Sequence, residues 1–331
     1  MKKLVTGANG SIGRSLVQAL VRRGDNVKVL VRESSNTTCL KQYGVEFCYG
    51  DVLDGESLDK TLESVDVVYH LAAVVPPRLW RVPSKIVWNV NCQGTHNLLE
   101  ACRRHEVQKF IYASTIGVTG YIDEGRIDET YPYNPKGLYE KTKCEAEKIV
   151  VKYHEEYGIP TTIIRIPAVY GPGLVHGMVE AFQAIQSHRF RFIGTGESLI
   201  HLIYIEDLIE AMLLVGTQDS IRGGIYIVGM NDPVTWKEYV NTIANVMGVE
   251  PPKEHLPVWL ARVLGFCFET VLRVFYKDEP FLVRYRVDWT TKNSAFDVSK
   301  AKKELSFEAK TGLKEGVEKT INWYRKEGYL Q

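Results

Sequence analysis

The stretch TGANGSIG, residues 6–13, decides the fold that we expect for this chain. It follows the apolar run KKLV and opens the helical pattern SIGRSLVQALVRRG, so Gly7, Gly10 and Gly13 fall in a tight turn between a strand and a helix. Glycines let the backbone approach a pyrophosphate, whose charge is favoured by the free amides and the positive dipole end of the helix. The spacing is GxxGxxG rather than GxGxxG, but the strand, turn and helix context is complete and predicts a phosphate-binding turn.

Short β-branched runs alternate with helical patterns along the first half of the chain. The predicted strands are KLVTG, VKVLV, VEFCYG, VDVVYHLA, VQKFIYAS and TTIIRI, and a late run, GIYIVG at 224–229, predicts another core strand. These runs are nearly continuous in apolar residues, which indicates burial on both faces. We therefore predict an α/β fold, a doubly wound parallel sheet with helices on both sides.

Beyond Arg165 the pattern loosens, and amphipathic helices near 235–247, 258–275 and 313–326 predict a smaller, mostly helical substrate domain. Because one core strand comes late, we expect the two domains to interleave in sequence. The expected nucleotide-binding domain is 1–170 with roughly 203–230, and the expected substrate domain is 171–202 with 231–331.

Composition and charge exclude several functions. The chain has 331 residues, of which 45% are hydrophobic, and 41 lysines and arginines face 40 acids. A net charge of +1 gives no field for nucleic acid or an anionic membrane, so we expect a small-molecule partner. Six cysteines without a CxxC pair suit reduced thiols, and neither a signal-peptide core nor a membrane span is found, so the expected location is cytoplasmic.

The histidines show no metal-binding spacing, so no metal site is predicted. His70 lies in an apolar strand and is predicted to be core, whereas His176 is predicted either to face substrate or to lie in a loop. The apolar segment 256–276 carries its charges on one helical stripe. We expect a helix that is buried on most of its circumference in a substrate lobe or subunit contact; contact with a membrane surface is the alternative.

The end of the second predicted strand bears on the choice of cofactor. NAD-binding proteins usually carry an acid there for the ribose hydroxyls, and this chain has Val31 followed by Arg32. A guanidinium suits a 2′-phosphate, and Ser34 and Ser35 offer further donors, although Glu33 would repel a phosphate if it pointed inward. We therefore predict NADP(H) in preference to NAD(H), with a merely exposed arginine as the alternative.

The motifs TGANGSIG, GDVLD, HLAA, NCQGT, YASTIGV, YEKTK and RIPAVYGPG occur in this order along the chain. The series resembles the extended short-chain dehydrogenase/reductases, and the resemblance continues through HLIYIEDLIEA to SKAKKELSF. It implies a Rossmann-type domain followed by a smaller C-terminal substrate domain. By analogy it also implies a homodimer that pairs the helices around 91–105 and 138–157.

Tyr139 and Lys143 in YEKTK are four residues apart and so share a helix face. A free tyrosine has a pKa of about 10, and a nearby ammonium favours the phenolate and lowers that pKa. We therefore predict that Tyr139 is the general acid or base, and the resemblance implies that Lys143 also bonds the nicotinamide ribose. The resemblance further implies a hydroxyl that orients the substrate oxygen, at Thr115 with Ser114 as its neighbour.

The resemblance assigns further cofactor contacts. They are Gly7, Asn9, Gly10, Ser11, Ile12 and Gly13 in the turn, Leu71, Ala72 and Ala73 in HLAA, Asn91 in NCQGT, and Pro167 and Val169 in RIPAVYGPG, besides Tyr139 and Lys143. For Asn91 a helix-capping role is the alternative, and for RIPAVYGPG an ordinary strand exit. GDVLD after the third strand predicts Asp51 and the Val52 backbone near the adenine, with a helix-capping turn as the alternative.

Two departures from the family bear on the substrate. Members that dehydrate sugars carry acids directly after the catalytic threonine, whereas here Ile116 and Gly117 follow Thr115. Many nucleotide-sugar enzymes have an arginine for the diphosphate at the place of Ile200. In addition, the apolar helix predicts a hydrophobic wall of the substrate pocket, or plain core, formed by Trp259, Phe266 and Phe268.

We therefore predict an NADP(H)-dependent reductase or dehydrogenase that interconverts a ketone or aldehyde and an alcohol. The predicted substrate is small and hydrophobic, of the dihydroflavonol or steroid class. The first alternative is an NAD-dependent nucleotide-sugar epimerase, which uses the same tyrosine and threonine. A lesser alternative is a non-catalytic NADP-binding regulator.

Overall fold

A seven-stranded parallel sheet forms the centre of the molecule. The computed structural model describes residues 1–75, 82–175, 177–275 and 282–331, with 271–275 described by their backbone alone. The strands are β1 Lys2–Thr6, β2 Asn26–Val31, β3 Glu46–Tyr49, β4 Val67–His70, β5 Lys109–Thr115, β6 Thr161–Ile166, β7 Ala168–Tyr170, β8 Phe192–Ile193, β9 Leu199–Ile200, β10 Leu202–Tyr204, β11 Ile225–Ile227, β12 Val234–Thr235 and β13 His255–Leu256.

Helices follow most of the strands. They are α1 Ser11–Arg22, α2 Thr38–Lys41, α3 Gly55–Leu62, α4 Ser84–Trp88, α5 Gly94–Arg104, α6 Leu138–Tyr157, α7 Val179–Gln186, α8 Ile205–Thr217, α9 Trp236–Met247, α10 Val258–Phe275, α11 Arg284–Thr291, α12 Ser299–Leu305 and α13 Leu313–Lys326. A π-helical turn spans Asn89–Gln93, and a 3₁₀ turn spans Ile116–Thr119. The three late amphipathic helices lie within one residue of their predicted bounds.

The strands of the central sheet follow the order β11, β6, β5, β4, β1, β2, β3, and all neighbours are parallel. From β1 the chain proceeds outward to β2 and β3, and then returns to the other side of β1 to form β4, β5 and β6. The carboxyl ends of β1 and β4 therefore meet at a topological switch point, where open α/β sheets bind ligands.

The prediction of a doubly wound α/β fold is confirmed. Val5 and Val67 belong to one buried apolar cluster, and Leu4 and Val68 belong to another, as expected for strands covered by helices on both faces. The late run GIYIVG forms β11, which pairs with β6 at the edge of the sheet. The sheet therefore draws strands from 2–166 and from 225–227, and the predicted domain boundaries stay a prediction.

The apolar helix α10 is more exposed than we predicted. Ala261 is fully buried, but Trp259, Val263 and Phe266 are 68%, 51% and 54% exposed. Within this chain the described part of α10, residues 258–270, is therefore not buried on most of its circumference, and the expected subunit contact stays a prediction. Within the described ranges, no helix is long and apolar enough to cross a bilayer.

Two ion pairs join α10 to α11. The Arg262 guanidinium lies 2.8 Å from the Asp288 carboxylate, and the Arg284 guanidinium lies 2.7 Å from Glu269. The charged stripe that the sequence shows on α10 thus faces the neighbouring helix. The side chains on the other side of α10 are left in contact with solvent.

Candidate active site

The glycine-rich turn between β1 and α1 is packed so closely that side chains are excluded. Gly7 has φ +71°, and a Cβ there would lie 2.6 Å from the carbonyl carbon of Leu71. A Cβ on Gly13 would lie 2.2 Å from the Gly7 carbonyl oxygen. No side chain caps the start of α1 at Gly10, so its first amides are presented by a bare backbone.

Asn9 and the first turn of α1 fit a phosphate-bearing ligand. Among the described residues, nothing bonds the buried Asn9 Oδ1, so this acceptor is left for a donor from outside the chain. Ser11 and Ile12 lie in the first helical turn, whose N–H groups have no partner inside the helix. The glycine turn forms a narrow cradle that a Cβ would fill. This cradle and the unpaired Asn9 oxygen therefore fit the dinucleotide that the motif implies.

His70 fastens the loop after β4 to the end of β1. Its Nδ1 lies 2.7 Å from Thr6 Oγ1, and its Nε2 lies 3.0 Å from Thr95 Oγ1. Thr6 Oγ1 also accepts a bond of 3.2 Å from the Ala72 amide. Burial, aided by the charge of Lys143, lowers the pKa of His70 to about 3. His70 is therefore a neutral core residue, as predicted, and it orients Leu71, Ala72 and Ala73 beside the glycine turn.

Asn91 joins the same loop to α6. Its amide accepts a bond of 2.7 Å from the Val74 N–H and donates to the Val74 carbonyl and to Thr142 Oγ1, at 3.1 and 2.9 Å. Thr142 lies in α6 and bonds the Tyr139 carbonyl. Asn91 sits in the π-helical turn, a feature often found at functional sites. Its side chain makes no helix cap, and its contact with cofactor stays a prediction.

Arg32 stands directly after β2, as the sequence predicted. Its guanidinium is exposed, and among the residues the structure describes none forms an ion pair with it. The Ser35 amide donates to the Arg32 carbonyl at 2.9 Å, so residues 32–35 form a turn in which Glu33 and Ser34 are also exposed. An unpaired arginine at the carboxyl end of β2 is available to an anion.

The GDVLD turn has clear structural duties. Asp51 Oδ1 accepts from the Leu53 amide at 3.0 Å, and Asp54 caps α3 through the Glu56 amide at 3.2 Å. The Val52 carbonyl accepts from Asn97 at 3.1 Å. The capping alternative thus applies to Asp54, and a contact of Asp51 or Val52 with adenine stays a prediction.

Lys143 lies in α6, and its side chain is buried against β5. Its Nζ donates to the Ala113 carbonyl at 2.5 Å and lies 4.1 Å from the centre of the Tyr112 ring. Burial lowers the pKa of Lys143 to about 7, although Glu147 and Cys92 act in the opposite direction. The amine is therefore held on β5 and is poised between its charged and neutral forms near neutral pH.

Tyr139 lies in the first turn of α6 and forms part of a cavity wall. Burial, with a smaller effect of the Glu140 charge, raises the pKa of Tyr139 above its usual value. We predicted that Lys143 lowers this pKa, and within the described residues that prediction is wrong. The reason is that the Lys143 amine is turned to the Ala113 carbonyl and its own charge is suppressed by burial.

Ser114 and Thr115 point to opposite sides of β5. Ser114 Oγ donates to Glu147 Oε1 at 2.5 Å, and Glu147 pairs with Arg165 at 2.9 Å, with both side chains almost fully buried. Among the described residues, Thr115 Oγ1 bonds only the Gly117 amide, from which it accepts at 3.2 Å, so its own hydrogen is free to donate. The geometry thus commits Ser114 to a structural network and leaves Thr115 available for substrate.

A cavity of about 370 Å³ lies beside Tyr139. Its wall is mostly apolar and aromatic and includes Val169, Met178, Phe182, Ile200, Trp236 and Trp289. Pro167 is buried between β6 and β7 and is not part of the wall. His176 lies outside the described residues.

The predicted contribution of α10 to this wall is wrong. Trp259, Phe266 and Phe268 are exposed at 68%, 54% and 37% and do not line the cavity. Trp289 of α11 and Trp236 of α9 take their place, and their rings meet edge to face at 4.7 Å. Sequence periodicity could show that these helices are amphipathic, but not which of them covers the cavity.

The sequence analysis also missed Glu140. This residue stands inside the quoted motif YEKTK, directly after Tyr139, and it lines the cavity. An acid beside the reacting tyrosine was the available signal.

The chain matches a known protein family over most of its length. Residues 3–229 match the NAD dependent epimerase/dehydratase family. The 2-alkyl-3-oxoalkanoate reductase of Shewanella oneidensis is 26% identical over 95% of this chain and 84% of its own length. The 3β-hydroxysteroid-dehydrogenase/decarboxylase isoform 1 of Arabidopsis thaliana is 28% identical over 96% and 78%. The crystal structure of UDP-glucuronic acid 4-epimerase from Bacillus cereus in complex with NAD superposes with a TM-score of 0.79, at 25% identity over 99% of each chain.

The matched residues begin at the second residue of β1 and run past β11, so they include part or all of every strand of the central sheet. They also contain the glycine turn, Thr115, Tyr139 and Lys143. The chain therefore belongs to the NAD-dependent epimerase/dehydratase family, as an extended short-chain dehydrogenase/reductase of the 3β-hydroxysteroid-dehydrogenase-like branch, and is an NAD(P)-dependent enzyme that acts on CH–OH or C=O groups.

Proposed function

We propose that the enzyme interconverts a ketone or aldehyde and an alcohol on a small hydrophobic substrate, with NADP(H) preferred to NAD(H). The observation that carries this proposal is the mostly apolar cavity beside Tyr139. Ile200 in its wall is 2% exposed and offers no donor to a diphosphate. The mostly apolar wall supports a ketone or aldehyde with an apolar body, although Arg191 and Arg286 also line the cavity.

The residues of the chain have distinct roles in this proposal. The glycine turn, Asn9, Arg32, the loop 71–73 and Asn91 hold the dinucleotide, whose nicotinamide supplies or accepts a hydride when bound. Tyr139 gives a proton to the carbonyl oxygen in reduction and takes it back in oxidation. Burial keeps this tyrosine protonated, which suits the reductive direction.

Thr115 and Lys143 support the tyrosine. Thr115 Oγ1 is held by the Gly117 amide, so its hydrogen is free to bond the substrate oxygen and stabilise developing charge. Lys143 is anchored on the Ala113 carbonyl, and in this proposal its amine holds the nicotinamide ribose.

A screen of ketones and aldehydes with NADPH, followed by nicotinamide absorbance, tests the reaction. Tyr139→Phe should lower kcat by about 10²–10⁴-fold without changing the Kd for NADPH, because it removes only the exchangeable proton. Tyr157→Phe, an exposed tyrosine on the same helix, is the matched control and should leave kcat unchanged. If Tyr139→Phe keeps most of the activity, the proposed role of the tyrosine is wrong.

Arg32→Ala tests the cofactor preference. Fluorescence titration should show NADPH binding more tightly than NADH in the wild type, and the variant should lose that difference, by about tenfold or more for a charge-assisted phosphate contact. Arg22→Ala, in the last turn of α1, is an exposed control that should change neither affinity. Tighter binding of NADH to the wild type would contradict the preference.

A second candidate is an NAD-dependent nucleotide-sugar epimerase, which the superposition on the Bacillus cereus epimerase favours. It predicts tightly bound NAD after purification and turnover of a UDP-sugar. The homodimer implied by the family is a separate proposal, and light scattering that shows only a monomer would contradict it.

A further inference from the structure

Glu140 places a carboxyl group in the wall of the mostly apolar cavity, which Arg191 and Arg286 also line. It follows Tyr139 in α6, and its Oε2 lies 2.3 Å from the point where a Cβ on Gly137 would stand. The carboxyl group thus lies beside the Gly137 backbone at the start of α6, where a glutamate at the third helical position can cap its own helix.

The absence of a side chain at Gly117 brings this carboxyl group close to Thr115. A Cβ on Gly117 would lie 2.8 Å from Glu140 Cγ and 3.7 Å from Glu140 Oε1. The same point lies 3.5 Å from Thr115 Oγ1. The two oxygens are therefore at most roughly 7 Å apart, a span that two hydrogen bonds of about 2.8 Å and a small substrate group can bridge.

The carboxyl group retains hydrogen-bonding capacity even when it caps α6. A carboxylate offers about four acceptor sites, and a carboxylic acid also has one O–H donor. Burial raises the pKa of Glu140, which favours the neutral acid that can donate. A substrate that left this group unpaired would bind about tenfold to a hundredfold more weakly.

We propose that Glu140 binds a second oxygen of the substrate, so that the preferred substrates are apolar ketones with a carbonyl oxygen one or two carbons from the reacting group, such as 3-oxo esters. The inference rests on the proposed function, because it places the reacting carbonyl at Thr115 and Tyr139. When the reacting oxygen is bonded to Thr115, the second substrate oxygen lies roughly 3–5 Å from the reacting oxygen and so within reach of Glu140. Glu140 thus determines specificity, while Tyr139 carries the proton.

Two variants and a matched pair of substrates test the inference. The substrates are a medium-chain ethyl 3-oxoalkanoate and the 2-alkanone of equal length, assayed with NADPH. Glu140→Leu should lower kcat/KM for the 3-oxo ester by about tenfold to a hundredfold and leave the 2-alkanone within about threefold. Glu140→Gln should keep most of the preference, because an amide can donate and accept. Comparing the ratio of the two substrates between variants cancels their different intrinsic reactivity.

Glu145→Leu, on the same helix and paired with Lys148, is the control and should change neither substrate. An equal loss on both substrates in Glu140→Leu would show that the residue only caps α6 and would overturn the inference. No loss on either substrate would overturn it as well. If the wild type reduces neither compound nor any ketone or aldehyde of the screen, the proposed function fails and the inference fails with it.

Discussion

Replacement of Lys143 by methionine should make the nucleotide-free enzyme more stable while it removes activity. Lys143 is 2% exposed, and burial lowers its pKa from 10.5 to about 7. At about 1.4 kcal/mol per pKa unit, holding the proton on this amine in the folded state costs about 4–5 kcal/mol below pH 7. Methionine removes that penalty, but it also loses the bond to Ala113 and the contact with the Tyr112 ring, together about 1–3 kcal/mol. We expect a net gain of about 2–3 kcal/mol in the free energy of unfolding at pH 7.

The pH dependence of the stability difference between the two proteins identifies the buried charge of Lys143 as its cause. Below pH 7 Lys143 is protonated in both folded and unfolded states, so the full penalty is present. Between pH 7 and 10.5 the unfolded chain keeps a proton that the folded protein has released, so the stability of the wild type rises with pH. The advantage of Lys143→Met should therefore shrink by about 2–3 kcal/mol between roughly pH 6 and pH 9.

Urea unfolding followed by tryptophan fluorescence, at several pH values and without nucleotide, measures both quantities. Lys148→Met on the exposed side of the same helix is the control and should change stability by less than about 0.5 kcal/mol at every pH. A Lys143→Met protein that is less stable at pH 7, or a difference that does not vary with pH, would refute this reasoning.

Four other substitutions test the site and its support. Thr115→Val should lower kcat about 10²–10³-fold in steady-state kinetics. Ser114→Ala should leave kcat within about threefold and lower the free energy of unfolding by about 1 kcal/mol. The reverse pattern would contradict the assignment of Thr115 to the substrate and Ser114 to the structural network. Glu147→Gln leaves the buried Arg165 without its counter-charge and should lower the free energy of unfolding in urea by about 3–5 kcal/mol; a loss under about 1 kcal/mol would contradict the burial argument. Gly7→Ala puts a methyl group 2.6 Å from a carbonyl carbon and should weaken nucleotide binding about tenfold or more in a fluorescence titration, so unchanged affinity would contradict a close-packed cradle.

The sequence predicted the central sheet and the place of the ligand because both depend on local patterns. Apolar runs with helical segments between them indicate a covered parallel sheet, and the glycine spacing after β1 marks the tight turn. Tyr139 and Lys143 could be paired because their spacing repeats that of a helix turn. The late strand GIYIVG was recognised for the same reason, since its composition matches that of a buried strand.

The predictions that the structure contradicts concern contacts between segments that are distant in sequence. Lys143 was expected to act on Tyr139, but its amine bonds the carbonyl of Ala113 on another strand. The apolar residues of α10 were expected to be buried, but within this chain the helix forms two ion pairs with α11 and leaves Trp259, Val263 and Phe266 exposed. Amphipathic periodicity shows that a helix has two faces and cannot show which partner each face meets.

The sequence by itself determined the α/β class, the glycine cradle, the tyrosine and lysine pair and the family, since each is carried by residue types at short spacing. Only the tertiary structure decided that Ser114 serves the buried Glu147, that Thr115 stays free, and that Glu140 lies within reach of Thr115. It also decided which helices enclose the cavity. The physical reason is that burial, pKa and hydrogen-bond partnership depend on distances between segments far apart in the chain, and these distances are set by packing.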